Sequence, residues 1–172
     1  MHAVVVAELL TAQAFARFGQ VISAGDQEGR AANQGTAVRF DWAAKLVNTR
    51  SEAKPNLAVF RSTPRPLPIE LKLLEQHPCS TQLFAPMIAS RYLVCVAPTL
   101  ADGLPDVAQL RAFICNPGQG VNYAPGTWHC PIIALDAPAD FLMLAWEDGT
   151  ARDCVEHPLD APVRIELAAA SH

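Results

Sequence analysis

Basic charge is sparse in this chain and nowhere concentrated. Thirteen Lys and Arg stand against seventeen Asp and Glu, for a formal net charge of -4, and Arg61 with Arg65 is the one close basic pair of note. Phosphate binding needs clustered cations, so no nucleic-acid groove is expected. Long apolar runs are also missing. Nothing reaches the roughly 18 residues that a membrane-spanning helix requires. The opening Met1 to Ala7 lacks a charged leader, and Glu8 interrupts it, which argues against a secretory signal. There is no CxxC pair. Cys79, Cys95, Cys115, Cys130 and Cys154 are odd in number and widely spaced, and most sit in apolar, strand-like text. They read as small apolar residues kept as reduced thiols, in a cytoplasmic protein. No glycine-rich phosphate loop and no internal repeat occur.

Apolar residues, by contrast, are plentiful. They make up 51% of the sequence, cut into short segments by fourteen prolines and nine glycines. One domain over residues 1–172 is expected, long enough to bury a sizeable core. Val4–Leu10, Val21–Ile22, Gly35–Trp42, Leu57–Ser62, Ile69–Leu74, Arg91–Ala97, Ala112–Cys115, Ile132–Leu135 and Asp140–Trp146 read as strands. Thr11 is placed to cap a short helix over Ala12–Phe18 that stops at Gly19, and Asp106 to cap a single turn through Leu110. Pro64, Pro66 and Pro68 forbid a helix and favour an extended rim. Val163–Leu167 alternates and could add an edge strand. About ten or eleven short strands with at most two short helices argue an all-β sandwich, jelly roll or barrel. Trp42, Trp146 and the phenylalanines are core by default, whereas His2, His157 and His172 read as exposed.

Two segments carry chemistry. In Glu75-x-His77 the two side chains, two apart on a strand, share a face, and Gln82 follows after a turn. In Gln119-Gly-Val-Asn-Tyr-Ala-Pro-Gly-Thr-Trp-His-Cys-Pro131 a tight turn at Pro125 and Gly126 delivers His129 onto a new strand. Taken alone, this second stretch is equally a hairpin with a core Trp128 and a merely hydrogen-bonded His129. Jelly rolls of the cupin type carry a His-x-His-x3-4-Glu segment and a later Pro-x-Gly-x2-His, which meet around a metal. The present pattern resembles that one, with Glu75 and Gln82 in the places of a His and a Glu and Pro125 one residue late. His77, Gln82 and His129, with Glu75 beside them, could hold a divalent cation, although an amide oxygen is a poor donor. The same groups without a metal could act as acid and base.

The resemblance extends along almost the whole chain. It is carried by Ala14-Phe15-x2-Phe18-Gly19-x-Val21-Ile22, Leu74-Glu75-x-His77-Pro78, Thr81-Gln82-x-Phe84-x-Pro86, Leu110-Arg111-Ala112-Phe113, Gln119-Gly-Val-Asn-Tyr123, Trp128-His129 and Asp140-Phe141-Leu142. In these pieces the sequence resembles the ureidoglycolate lyase family, formerly called ureidoglycolate hydrolase. Two departures stand out: Cys130 replaces the second His of the family's Trp-His-His-Pro, and Gln34 replaces an Asn. In an extended segment Cys130 faces away from His129.

The resemblance implies a cupin-like double-stranded β-helix and a homodimer. It implies conversion of (S)-ureidoglycolate to glyoxylate and urea in allantoin and purine nitrogen recovery, with a divalent metal of the Ni or Mn type and no organic cofactor. Such a cleavage needs a base, an acid and a holder for the carboxylate. Glu75 or His129 is the candidate base and Tyr123 or His77 the candidate acid. Arg39 and Arg61 are candidate clamps for the carboxylate, with Gln82, Asn122 and Trp128 lining the pocket; Arg61 reads equally well as a surface arginine. The competing readings are another metal-dependent cupin enzyme, such as an oxygenase or sugar isomerase, and a non-catalytic binder of a small hydroxy or keto acid.

Overall fold

Alternating side chains build most of the chain into strands. The computed structural model describes residues 3–168, so His2 and His172 lie outside it. In chain order the strands are β1 (Val4–Leu9), β2 (Gly19–Ile22), β3 (Arg30–Ala32), β4 (Ala37–Arg39), β5 (Lys54–Ser62), β6 (Ile69–Gln76), β7 (Gln82–Ile88) and β8 (Tyr92–Ala97). They continue as β9 (Arg111–Cys115), β10 (Gly120–Tyr123), β11 (Trp128–His129), β12 (Ile133–Ala134), β13 (Ala139–Glu147) and β14 (Val155–Leu167). Helix α1 covers only Ala12–Phe15, with the Thr11 hydroxyl accepting from the Ala14 N–H at 3.1 Å.

The strand order identifies the architecture. One sheet contains β5-β13-β7-β10, and the other β6-β11-β8-β9. With β5 to β11 and β13 taken as eight successive strands, that interleaving is a jelly roll of the cupin type. The remaining strands extend it. Strand β2 pairs with β10, β14 lies against β6, and β1 runs parallel to both β14 and β9. Hydrogen bonding therefore passes from β6 through β14, β1, β9, β8 and β11 back to β6, closing a ring.

Two cores follow from this closure. Between the sheets pack Phe15, Phe84, Tyr92, Val94, Phe113, Val121, Tyr123, Phe141 and Met143. On the other face of β8 and β9, inside the ring, lie Leu74, Leu93, Cys95, Ala112, Ile114, Trp128 and Ile165. Strand β8 is buried on both faces, as its continuous apolar run requires.

Several sequence expectations need correction. Gly19 is no helix stop: it begins β2 opposite Tyr123 with φ +147, where a Cβ would lie 2.0 Å from the Asn122 carbonyl oxygen. Strand β14 is thirteen residues long and lies inside the sheet between β6 and β1, rather than adding a short edge. The expected strand over Gly35–Trp42 shrinks to β4, paired only with β3 as a two-stranded hairpin outside both sheets. Trp42 follows that hairpin with φ +60 and is 93% exposed, so it is not core. The Asp106 turn is a short 3-10 segment, Val107–Gln109, without a side-chain cap.

Candidate active site

The register of the ring sets His129 directly opposite Glu75, across β11 and β6. Trp128 and Cys130 flank His129 and face the ring core, so the imidazole between them points into the space between the sheets. The preceding turn is held at both ends. Thr127 N–H bonds to the Ala124 carbonyl at 3.1 Å, and Gly126 N–H, at φ +76, bonds to the His77 carbonyl at 3.0 Å. This is the delivery that Pro125 and Gly126 imply in the sequence.

Glu75, His77 and His129 converge, each offering a ligand atom within 4.8 Å of the others. His129 Nε2 lies 3.4 Å from Glu75 Oε1 and 3.0 Å from Gln82 Oε1. The imidazoles of His77 and His129 stack at 5.6 Å between centroids, and Tyr123 lies on the other face of His129. Tyr123 Oη is buried without a hydrogen-bond partner.

Both histidines donate through Nδ1 to a backbone carbonyl. His77 Nδ1 is 2.6 Å from the Asp153 carbonyl oxygen, and His129 Nδ1 is 2.9 Å from that of Thr127. A carbonyl only accepts, so each Nδ1 carries a hydrogen, and the His77 Nε2 is left as a lone pair. His77 Nε2 is buried and has no partner. Gln82 Oε1 and Glu75 Oε1 both face the His129 Nε2. Two imidazole Nε2 atoms and a carboxylate, each imidazole braced from behind by a backbone carbonyl, suit a divalent cation of the Zn, Ni, Mn or Fe kind.

Burial raises the Glu75 carboxyl, but the His129 hydrogen bond and the charges of His129 and His77 outweigh it and leave the group below its ordinary value. Glu75 is also the accessible member, its side chain 18% exposed against 1% for His129. Burial and the neighbouring His129 push His77 below the usual imidazole value, opposed by the Asp153 carbonyl, Glu75 and Glu147. Burial drives the Tyr123 phenol well upward, so it keeps its proton.

Of the sequence candidates, Glu75, His77, Gln82, Tyr123 and His129 come together and the others do not. Asn122 lies on the opposite face of β10, where its amide donates to Gln20 Oε1 and the Lys45 carbonyl. Trp128 is a ring-core residue, donating Nε1–H to the Gly103 carbonyl. His157, expected to be exposed, packs against the Trp128 ring. Arg61 forms a two-bond fork with Asp140 on the outer face of β5 and β13, its side chain 80% exposed. Arg39 pairs with Asp41 outside the barrel. Neither arginine clamps anything in the cluster. The outer groove of about 340 Å³ beside Trp42, lined by Ala12, Ala16 and Gln20, lies on the far side of the β2–β10 edge and contains none of these groups.

The sequence reading also missed a buried support. Arg50, its side chain 5% exposed, binds Asp153 at 2.7 Å, Asp148 at 2.9 Å and the Trp146 carbonyl at 2.9 Å. The Asp153 carboxylate also accepts from the N–H groups of Asp148 and Gly149. This network fixes the turn whose carbonyl orients His77. It gives Asp153 a physical role. No local pattern announces it, because Arg50 is 103 residues from its partner.

A jelly-roll barrel with two imidazoles and a carboxylate converging between its sheets defines a cupin-type protein. Within that class, the chain belongs to the ureidoglycolate lyase family, whose model matches residues 2–166. Ureidoglycolate lyase of Burkholderia cepacia is 40% identical over 161 residues, covering 93% of this chain and 89% of that protein. That of Pseudomonas fluorescens strain SBW25 is 35% identical over 161 residues, covering 94% and 95%. Among solved structures, a dTDP sugar isomerase from Desulfovibrio desulfuricans G20 aligns with TM-score 0.46 at 18% identity, covering 82% of this chain and 88% of that one.

Proposed function

We propose that this protein cleaves (S)-ureidoglycolate to glyoxylate and urea. The observation that carries the reading is Glu75 held directly against His129 inside the barrel of a chain from this family. The substrate carbon bears a hydroxyl, a carboxylate and the ureido nitrogen. Glu75 takes the hydroxyl proton, the O–H electron pair becomes the C=O bond of the aldehyde, and the C–N bond breaks. The electron pair of that bond stays on the urea nitrogen, which takes the proton back from Glu75. One carboxylate thus serves as base and then acid, and no net proton is gained or lost.

The remaining groups position the substrate. Tyr123 Oη, buried, protonated and unpartnered, is a hydrogen-bond donor toward a developing oxyanion. With Arg39 and Arg61 engaged elsewhere, no arginine of the sequence prediction is left to hold the substrate carboxylate. Glu75, His77 and His129 would hold a divalent cation, which when bound supplies positive charge for the carboxylate and lowers the hydroxyl pKa.

Incubating the purified protein with racemic ureidoglycolate, with added Ni²⁺ or Mn²⁺ and with EDTA, tests this reading. Consumption of half the racemate with equal glyoxylate and urea supports it. Absence of both products under every condition rejects it.

We also infer a homodimer. Leu57 and Val59 are 64% and 59% exposed on the outer face of β5, directly opposite Leu144 and Leu142 of β13. A contiguous apolar sheet face of this kind suits a self-complementary contact between two copies.

A further inference from the structure

The far end of the inner face of the five-stranded sheet carries a polar pair that the reaction above does not use. Along β13, Phe141, Met143 and Ala145 point between the sheets, and the same alternation sends Glu147 inward. Along β5, Ala58 packs on that core and Phe60 meets Phe84 edge-on, so Asn56 shares their face. Asn56 Nδ2 donates to Glu147 Oε2 at 2.8 Å, fixing the two side chains together. Among the described residues, Asn56 Oδ1 and Glu147 Oε1 accept no hydrogen bond.

Register places this pair beside the cluster. Asn56 stands opposite Ala145, and Tyr123 opposite Gln82. Leu144 stands opposite Leu83, and one further step brings Ala145 opposite Gln82. Asn56, Ala145, Gln82 and Tyr123 therefore form one row across the inner face. At a strand spacing of about 4.8 Å, Asn56 lies roughly 10 Å from Gln82, with only the Ala145 methyl between them. Glu147 also acts on the charge of both His77 and Cys154, as a group facing the same space does.

We propose that Asn56 and Glu147 recognise the ureido end of the substrate and determine specificity for it. This rests on the lyase reading. A carboxylate is a two-pronged acceptor and matches the N–H groups of –NH–CO–NH2, while the second Nδ2–H of Asn56 suits the ureido carbonyl. The negative charge of Glu147 repels the substrate carboxylate and directs it toward the imidazoles. That orientation sets the carbinol hydroxyl and the ureido nitrogen beside Glu75, and it favours ureido acids over simple hydroxy acids.

Two unreactive probes separate the ends of the site. N-Carbamoylglycine has the ureido and carboxylate groups without the hydroxyl; glycolate has the hydroxyl and carboxylate without the ureido group. Binding of each to the wild type, Glu147→Gln and Asn56→Ser is measured by calorimetry, with circular dichroism to verify folding. Each variant that folds is expected to weaken N-carbamoylglycine by about 10- to 100-fold and to leave glycolate bound as tightly as in the wild type or more tightly. Equal losses for both probes, or no loss for N-carbamoylglycine, would overturn the proposal. A wild type that binds the probes with this contrast and yet releases no urea from ureidoglycolate would overturn the lyase reading alone.

Discussion

Tyr123 lies flat on His129, with ring centroids 4.0 Å apart and planes 9° from parallel. The stack holds the imidazole from one face while Thr127 and Gln82 hold its two nitrogens, so His129 has little freedom to turn. Tyr123 is itself positioned by Gly19, its cross-strand neighbour on β2, and by Phe15 and Phe84.

Tyr123→Phe keeps the ring and removes a buried hydroxyl that has no partner. Folding stability is expected to stay within about 1 kcal/mol of wild type or to rise, while kcat falls. Tyr123→Leu, which loses the stack, is expected to lower both. Urea denaturation alongside steady-state kinetics separates the two effects.

Gly19→Ala tests the close approach of β2 to β10 where the two strands pair. With φ +147 and a Cβ position 2.0 Å from the Asn122 oxygen, the strand has to shift. A loss on the order of 3 kcal/mol is expected. Wild-type stability in the variant, measured in urea, would show that the strands pass less closely.

Arg50→Met leaves Asp148 and Asp153 without their buried counter-charge. A fall in Tm of roughly 5–10 °C is expected, because breaking one side of such a network strands the other. The 15N shifts of His77 should move with it, since Asp153 supplies the carbonyl that fixes its tautomer. Unchanged His77 shifts would disconnect the network from the site.

His77→Ala removes one of three convergent donor groups. Affinity for Ni²⁺ or Mn²⁺, followed by calorimetry, is expected to drop by at least about 100-fold. Equal affinity in the variant would place the cation elsewhere.

Val59→Lys puts charge into the apolar face of β5 and β13. Sedimentation velocity is expected to show a monomer in place of a dimer, with the fold retained because the residue points outward.

The jelly roll was legible because alternation and turn residues mark short strands locally. Glu75 and His77 were legible because two residues on one strand share a face, and His129 because Pro125 and Gly126 announce the turn before it. Other features depended on pairings between distant segments. Asn122 adjoins Tyr123 and Trp128 adjoins His129, so strand alternation turns both away from the cluster once Tyr123 and His129 point into it. Arg39 and Arg61 looked like free cations, but Arg39 pairs with Asp41 two residues further along the chain, and Arg61 with Asp140, a neighbour that only the pairing of β5 with β13 reveals. Asn56 and Glu147 were hidden for the same reason. They meet only because β5 pairs with β13, across 91 residues of sequence.

Glu75, set against His129, is proposed to carry the proton in C–N cleavage. Comparing wild type with Glu75→Gln on (S)-ureidoglycolate, with glyoxylate and urea quantified in the same samples, tests it most directly. Equimolar products from the wild type and a rate lower by about 100- to 10,000-fold in the variant are expected. No products from the wild type, or an undiminished rate in Glu75→Gln, would contradict it.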